Sequence, residues 1–301
     1  MNKTCIIIAG PTAVGKTAIA LHLAQLFSTT IISSDSRQCY RELNIGVAKP
    51  ESAELAAVHH DFINSHSIHE SVNAADFEKY ALTSVEKIFQ KSDIAIMVGG
   101  TGLYIKAFCE GLDKIPEVPS ALREQIIQNY QTNGINWLAE MLQEKDSAYA
   151  VQGNMQNPQR MMRALEIISF TGNSILSYQT HQKEKRDFKI LKIGLELPRP
   201  FLYDRINSRV DKMIADGLIQ EASTLQSYQH LNALQTVGYS ELFDYFNGKI
   251  SKEKAIELIK QNTRHYAKRQ MTWFKKDEEM TWLAPEVNVV DNWVLSRIQP
   301  I

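Results

Sequence analysis

Cysteine is scarce in this sequence. Cys5, Cys39 and Cys109 lie far apart and form no CxxC pair, which argues against a zinc knuckle or a disulfide framework and predicts free thiols in a reducing compartment. Long apolar runs are missing as well. The run over residues 5–9 is closed at once by Gly10-Pro11, too short for the core of a signal peptide, and no stretch approaches the ~20 residues that cross a bilayer. A cytoplasmic protein without membrane contact is expected. Charge of one sign is absent too, with 33 Lys and Arg against 34 Asp and Glu. A nucleic-acid binder of this balance must gather its basic residues on one surface. No sustained heptads appear, so nothing predicts a coiled-coil oligomer, and a monomer is the simplest expectation.

What is present reads as a globular α/β chain, 44% hydrophobic over 301 residues, enough for a large domain and a smaller one. Residues 5–9 read as a buried parallel strand and residues 18–27 as a helix. Residues 30–33 and 94–98 read as further strands, with a helix over 74–89 between them whose Phe77, Ala81, Val85 and Ile88 share a face. Alternation of this kind predicts a parallel sheet with helices on both sides. After Gly111 the pattern changes. Residues 120–130, 135–143 and 158–170 read as helices with no strand among them, the last opening on Pro158. Residues 189–197 return to a strand pattern, and helices follow over 199–215, 218–226, 240–246 and 251–271. The expected architecture is a P-loop-like core from residues 1–112 and 187–301, interrupted by an all-helical insertion at 113–186.

The strongest motif follows the first strand. Gly10-Pro11-Thr12-Ala13-Val14-Gly15-Lys16-Thr17 fits GxxxxGK[ST] between a strand and a helix. Its backbone N–H groups and helix N-terminus can cradle a diphosphate or triphosphate, with Lys16 as a point charge and Thr17 as a Mg²⁺ ligand. P-loop NTPases place an acidic residue after a second apolar strand, but residues 94–98 run into Gly99-Gly100-Thr101-Gly102. That omission favours chemistry other than attack on a γ-phosphate. Asp35 and Thr101 each follow a predicted strand, on the side where parallel sheets bind ligands. From position alone, Asp35 is equally a base, a metal ligand or a helix cap, and Thr101 equally a substrate contact or a cap.

Several ordered blocks resemble the tRNA dimethylallyltransferase (tRNA isopentenyltransferase) family. They are the P-loop, Asp35-Ser36-Arg37-Gln38, and Gly99-Gly-Thr-Gly-Leu-Tyr104. Further along come Ile45-Gly-Val-Ala-Lys-Pro50, His59-His60, Asn157-Pro-Gln-Arg160 with Arg163-Ala-Leu-Glu166, Val237-Gly-Tyr239, and Thr263-Arg-His-Tyr-Ala-Lys-Arg-Gln270 with Thr272-Trp273. The chain departs from the family pattern at Val47, where a threonine is usual, and after His60. It carries no zinc-finger segment after its last block, as in the bacterial form.

The resemblance implies a P-loop that holds dimethylallyl diphosphate. The acceptor is then N6 of the adenosine 3′ of the anticodon in a tRNA stem-loop. Asp35 takes the place of the family's general base and Thr101 that of its substrate-contacting threonine. Ser36, Arg37, Gln38, Arg123, Gln159, Arg160, Met161, Met162 and Arg163 fall in tRNA-contacting segments. In the residues themselves, Lys260, Arg264 and Lys268 recur at four-residue steps and form a basic helix face suited to phosphates. Trp137, Trp273, Trp282 and Trp293 are expected in cores or interfaces, with Trp273 a candidate wall of the prenyl site. His59-His60 lacks metal-ligand spacing. Three other readings stay open: an adenylate isopentenyltransferase acting on free AMP, ADP or ATP, a P-loop small-molecule kinase, and a non-catalytic RNA-binding protein with a vestigial P-loop.

Overall fold

The computed structural model describes residues 3–180 and 182–298. It contains two compact units. One runs to Glu110 and resumes at Lys185; the other is Gly111–Glu184. The departure from the sequence reading is two residues at each boundary.

The larger unit is built on six parallel strands in the order β3-β2-β4-β1-β5-β6. The strands are β1 (Thr4–Ala9), β2 (Ile31–Ser33), β3 (His60–Asp61), β4 (Ile94–Gly99), β5 (Lys189–Leu195) and β6 (Thr281–Leu283). The apolar run of β1 has both faces covered. Cys5, Ile7 and Ala9 join one core cluster, Ile6 and Ile8 the other. A strand buried on both faces needs an unbroken apolar run, which is why period-2 alternation is absent here. The helices α1 (Lys16–Leu26), α2 (Ser52–Ala57), α3 (Ala74–Phe89) and α4 (Gly102–Glu110) fall among the first strands. Asn73 caps α3, its side chain accepting from the N–H groups of Ala75 and Asp76.

The insertion holds α5 (Ser120–Lys145), α6 (Ser147–Gln152) and α7 (Pro158–Thr171). Gly134, at φ 75°, breaks α5 into two helical stretches, and these are the pair read from the sequence. Asn157 caps α7 with Pro158 in its first turn, and Gly172 ends it in the left-handed region. Ile126, Leu138, Leu142, Tyr149, Met161, Met162 and Leu165 make a core of their own.

The chain re-enters the sheet on β5, which stops at Leu195. Then follow α8 (Arg199–Ala215), α9 (Leu218–Thr224), α10 (Tyr239–Phe246), α11 (Lys252–Phe274) and, after β6, α12 (Val287–Ile298). The basic face expected on α11 is not an open surface. Lys260 Nζ lies 2.6 Å from Asp211, and Arg264 donates to Asn207 at 2.6 Å and lies over the ring of Tyr203. All three partners belong to α8, so this stretch of α11 uses its cations to pack on a neighbour. Lys268 is exposed. No helix among the described residues is long and apolar enough to cross a membrane.

Candidate active site

Residues 10–17 form the turn between β1 and α1, with Gly10 at φ 143° and Gly15 at φ 110°, backbone that a side chain would strain. Lys16 folds back and donates to the carbonyl of Pro11 at 2.7 Å. Its pKa falls to about 7, chiefly through burial and then through repulsion from Arg209; the charge of Asp35 works in the opposite direction. A lysine so placed regains its full charge once an anion fills the cradle.

Two arginines of α8 reach this loop. Arg209 donates to the Thr12 hydroxyl and Arg205 to the Val14 carbonyl, each at 3.3 Å. Sequence reasoning missed both. They lie about 190 residues from the motif in an unremarkable helix, and only the spacing of two arginines four apart hinted at a shared face.

Asp35 follows β2. Its Oδ1 accepts from the backbone N–H groups of Arg37 and Gln38 at 2.8 and 3.2 Å. No helix follows Asp35, so it caps none: Oδ1 closes the turn over residues 36–39, and Oδ2 stands outside that pair of bonds. Thr101 does not cap α4 with its side chain. Its hydroxyl accepts from the Ser36 N–H at 3.1 Å and donates to the Ser36 hydroxyl at 3.3 Å, so it pins the loop that carries Asp35. Near it, burial and then the charge of Asp35 raise the pKa of the Tyr266 hydroxyl to about 12.

Where an NTPase would carry its acidic residue, this chain has a contact to a distant helix. Gln270 of α11 accepts from the Thr12 N–H at 2.9 Å and donates to the Gly100 carbonyl at 3.0 Å. One amide thus joins the phosphate loop to the Thr101 turn. A side chain at Gly99 or Gly100 would overlap Ser34 or Gln270, so the turn cannot hold a carboxylate there.

Thr12, Asp35, Ser36, Arg37, Arg209 and Tyr266 line one cavity of about 580 Å³, closed on its apolar side by Val210, Met213, Leu218 and Ile259. A second cavity of about 670 Å³ adjoins Thr17 and is lined by Lys49, Glu51 and Lys212; both cavities share Ala48, Arg209 and Met213. The block 45–50 is held by Glu221, which accepts from the N–H groups of Ile45 and Gly46 and from the Tyr239 hydroxyl. Gln38 has both amide atoms engaged, accepting from Ser33 and donating to the carbonyls of Val47 and Ala48. Burial, then the charge of Asp35, pushes the Cys39 thiol up to about 12, which leaves it unfit as a nucleophile at neutral pH.

On the insertion, Gln159 and Arg160 are exposed in the first turn of α7, and Arg123 is exposed on α5. Arg163 and Arg123 lie 3.0 and 3.8 Å from the buried carboxylate of Glu166, and Arg163 also donates to the Pro116 carbonyl. Met161 and Met162 depart from their expected place: both side chains are in the core of the insertion, where α7 needs apolar residues on its inner face. Trp273 does not line either cavity. His60 lies on β3 with Nδ1 at 2.8 Å from the Val58 carbonyl.

These features define a P-loop-like α/β fold in which a residue of the phosphate loop, Thr12, and the carboxylate of Asp35 line one cavity. Over residues 38–277 the sequence matches the IPP transferase family, and the chain belongs to that family. It is 47% identical to a tRNA dimethylallyltransferase of Christiangramia forsetii, covering 96% of this chain and 95% of that protein. It is 44% identical to tRNA dimethylallyltransferase 1 of Bacteroides fragilis, with 94% of each covered. Among solved structures it resembles the tRNA isopentenylpyrophosphate transferase of Bacillus halodurans, at TM-score 0.71 and 34% identity over 98% of this chain and 94% of that one. A eukaryotic dimethylallyltransferase captured acting on tRNA gives TM-score 0.77 and 27% identity over 97% of this chain and 75% of that one.

Proposed function

We propose that this chain transfers a dimethylallyl group from dimethylallyl diphosphate to N6 of the adenosine 3′ of a tRNA anticodon, releasing diphosphate. The observation that carries the reading is the shared cavity: Asp35 and the phosphate-loop residue Thr12 face the same space, and Gln270 ties the loop to the Thr101 turn. The names and coverage of the relatives support the same activity.

The N6 amine of adenine is a weak nucleophile because its lone pair is delocalised into the ring. Asp35 takes the departing N6 proton on Oδ2 as the N6–C1 bond forms, while Oδ1 stays fixed by two backbone N–H groups. Positioned general bases typically contribute 10²–10⁴-fold. On the other side of C1, the C1–O bond breaks and its electron pair leaves with the diphosphate. Charge grows on that oxygen, and the cradle N–H groups, Lys16 and Arg209 stabilise it where it develops. The Thr12 N–H is occupied by Gln270, so the donors for phosphate come from the rest of the loop.

Thr17 fits Mg²⁺. Among the described residues no group of three His, Cys, Asp or Glu side chains could enclose a metal, and a hydroxyl plus substrate phosphate oxygens is a donor set that Mg²⁺ accepts. When bound, the ion would offset charge on the diphosphate.

The acceptor base must leave its stack to reach Asp35, at a cost of a few kcal/mol that is lower in a loop than in a duplex. Ser36 and Arg37 meet it at the cavity. Arg123, Gln159, Arg160 and Arg163 of the insertion, with Lys268, hold the stem-loop. The chain acts as a cytoplasmic monomer in this reading.

Incubation with dimethylallyl diphosphate and unmodified tRNA, followed by mass analysis of the nucleosides, tests it. A prenyl increment on adenosine is expected. A phosphate increment from ATP, or prenylation of free AMP with tRNA untouched, would overturn it.

A further inference from the structure

Three residues of α11 sit over one turn. Tyr266 lines the cavity with Asp35, Gln270 donates to the Gly100 carbonyl, and Trp273 packs on Gly102. A Cβ at Gly102 would overlap the pyrrole part of the Trp273 ring, so only glycine lets the indole come so close. The first two residues complete the cavity and the cradle. The third does neither: it lines neither of the two cavities described and is 41% exposed. Leu103, next to Gly102, is 46% exposed. An indole fixed on one side and open on the other, one residue from Thr101, has no packing reason to remain in water.

We infer that Trp273 is a stacking platform for a nucleobase that neighbours the extruded adenosine. The inference rests on the tRNA reading above. Three observations favour a base over an apolar protein partner. The ring stands beside the turn that pins the Asp35 loop, so a strand delivering its base to Asp35 passes it. Its sequence neighbours are cationic: Arg269, four residues earlier on α11, is exposed and lines the cavity, and Lys276, in the turn just after the helix, is exposed. That pairing of aromatic surface and positive charge suits single-stranded nucleic acid, whose bases stack while its phosphates pair. The ring is also pre-positioned by Gly102, so little freedom is lost on stacking.

Trp273 is therefore a positioning residue. Stacking the neighbour offsets part of the cost of taking the target base out of its own stack, and Trp273 touches no reacting atom.

The test uses the full-length protein, dimethylallyl diphosphate, and three anticodon stem-loops: one intact, one abasic on the 5′ side of the target adenosine, one abasic on the 3′ side. Trp273→Ala should raise KM for the intact stem-loop by about 5- to 100-fold, the range expected from losing one base–aromatic stack, with KM for the prenyl donor unchanged. Trp273→Phe should restore most of the loss, whereas Trp273→Leu should not. The effect of Trp273→Ala should vanish on one of the two abasic stem-loops, because the partner is already missing. Wild-type tryptophan fluorescence should change when the intact stem-loop binds, and Trp273→Phe should remove that change while keeping activity. An equal penalty on all three stem-loops, or full rescue by leucine, overturns the platform and leaves the tRNA reading intact. If the wild-type protein fails to prenylate the intact stem-loop, the tRNA reading itself falls.

Discussion

Arginine serves the two units in opposite ways. In the larger unit the partly buried Arg209 ends on a hydroxyl of the phosphate loop, and Arg205, which is exposed, on a carbonyl. In the insertion the guanidinium groups of Arg123 and Arg163 converge on one buried carboxylate, Glu166. Arg209 places positive charge where burial makes its field strong, as a leaving group requires. The insertion sets two partly exposed guanidinium groups on one carboxylate, which leaves net positive charge at that surface for a polyanion. The same side chain therefore reads as chemistry in one unit and as grip in the other. Each can be broken without the other.

The largest effect should come from the crevice. Asp35→Asn keeps the volume and one backbone-facing oxygen but removes the base, so kcat should fall by about 10²–10⁴-fold. KM for tRNA should change little. Single-turnover kinetics with saturating donor provides the check, and a variant retaining more than a tenth of wild-type kcat would remove Asp35 from the role of base.

The next effect is a pH dependence set by the same enclosure. Lys16 in the free cradle titrates near 7 because burial and Arg209 disfavour its charge. A bound diphosphate reverses that balance. Below pH 7 the lysine enters the complex already protonated. Above it, each binding event takes up a proton, so donor affinity should fall by up to about tenfold per pH unit. Donor titrations across pH 6–9 measure the slope, and Lys16→Met should abolish it. The free protein should show the matching trend. The unfolded lysine holds its proton up to its ordinary pKa, so this residue's contribution to stability rises with pH between about 7 and that value.

How much of this was legible in advance follows from sequence distance. The phosphate loop, Asp35 and Thr101 all lie at strand ends, and a strand bounded by glycine announces its own end. Arg205, Arg209 and Gln270 reach the same crevice from helices far along the chain, and nothing local marks them. The two long α5 stretches were readable because Gly134 breaks their period. The helix α2 was not, because none of its residues is buried and so no apolar face repeats. The strands β3 and β6 have two and three residues, too few for any period. Charge spacing on α11 was read correctly as one face, but sequence cannot say whether a face meets solvent or another helix. Here α8 supplies Asn207 and Asp211.

A smaller effect belongs to the insertion. Glu166→Gln removes the charge that holds Arg123 and Arg163 while keeping the shape of the side chain. Loss of these charge-assisted bonds should cost about 1–3 kcal/mol of stability, discounted because both arginines are partly in water. KM for tRNA should rise several-fold while KM for the donor stays fixed. Thermal melting and steady-state kinetics together test this, and an unchanged KM for tRNA would reduce Glu166 to a packing residue.

The smallest effect makes the sharpest contrast, because it sets two cations of one helix against each other. Arg264 is packed on Tyr203 and Asn207, whereas Lys268 is exposed. If solvent exposure decides which cations meet phosphate, Lys268→Ala should lower the slope of log affinity for tRNA against log salt by about one with stability unchanged. Arg264→Ala should do the reverse, losing about 1 kcal/mol of stability and leaving the slope intact. Salt titrations of tRNA binding beside melting curves separate the two. An exchange of these outcomes would mean that α11 leaves α8 when tRNA binds, since only then could Arg264 reach a phosphate.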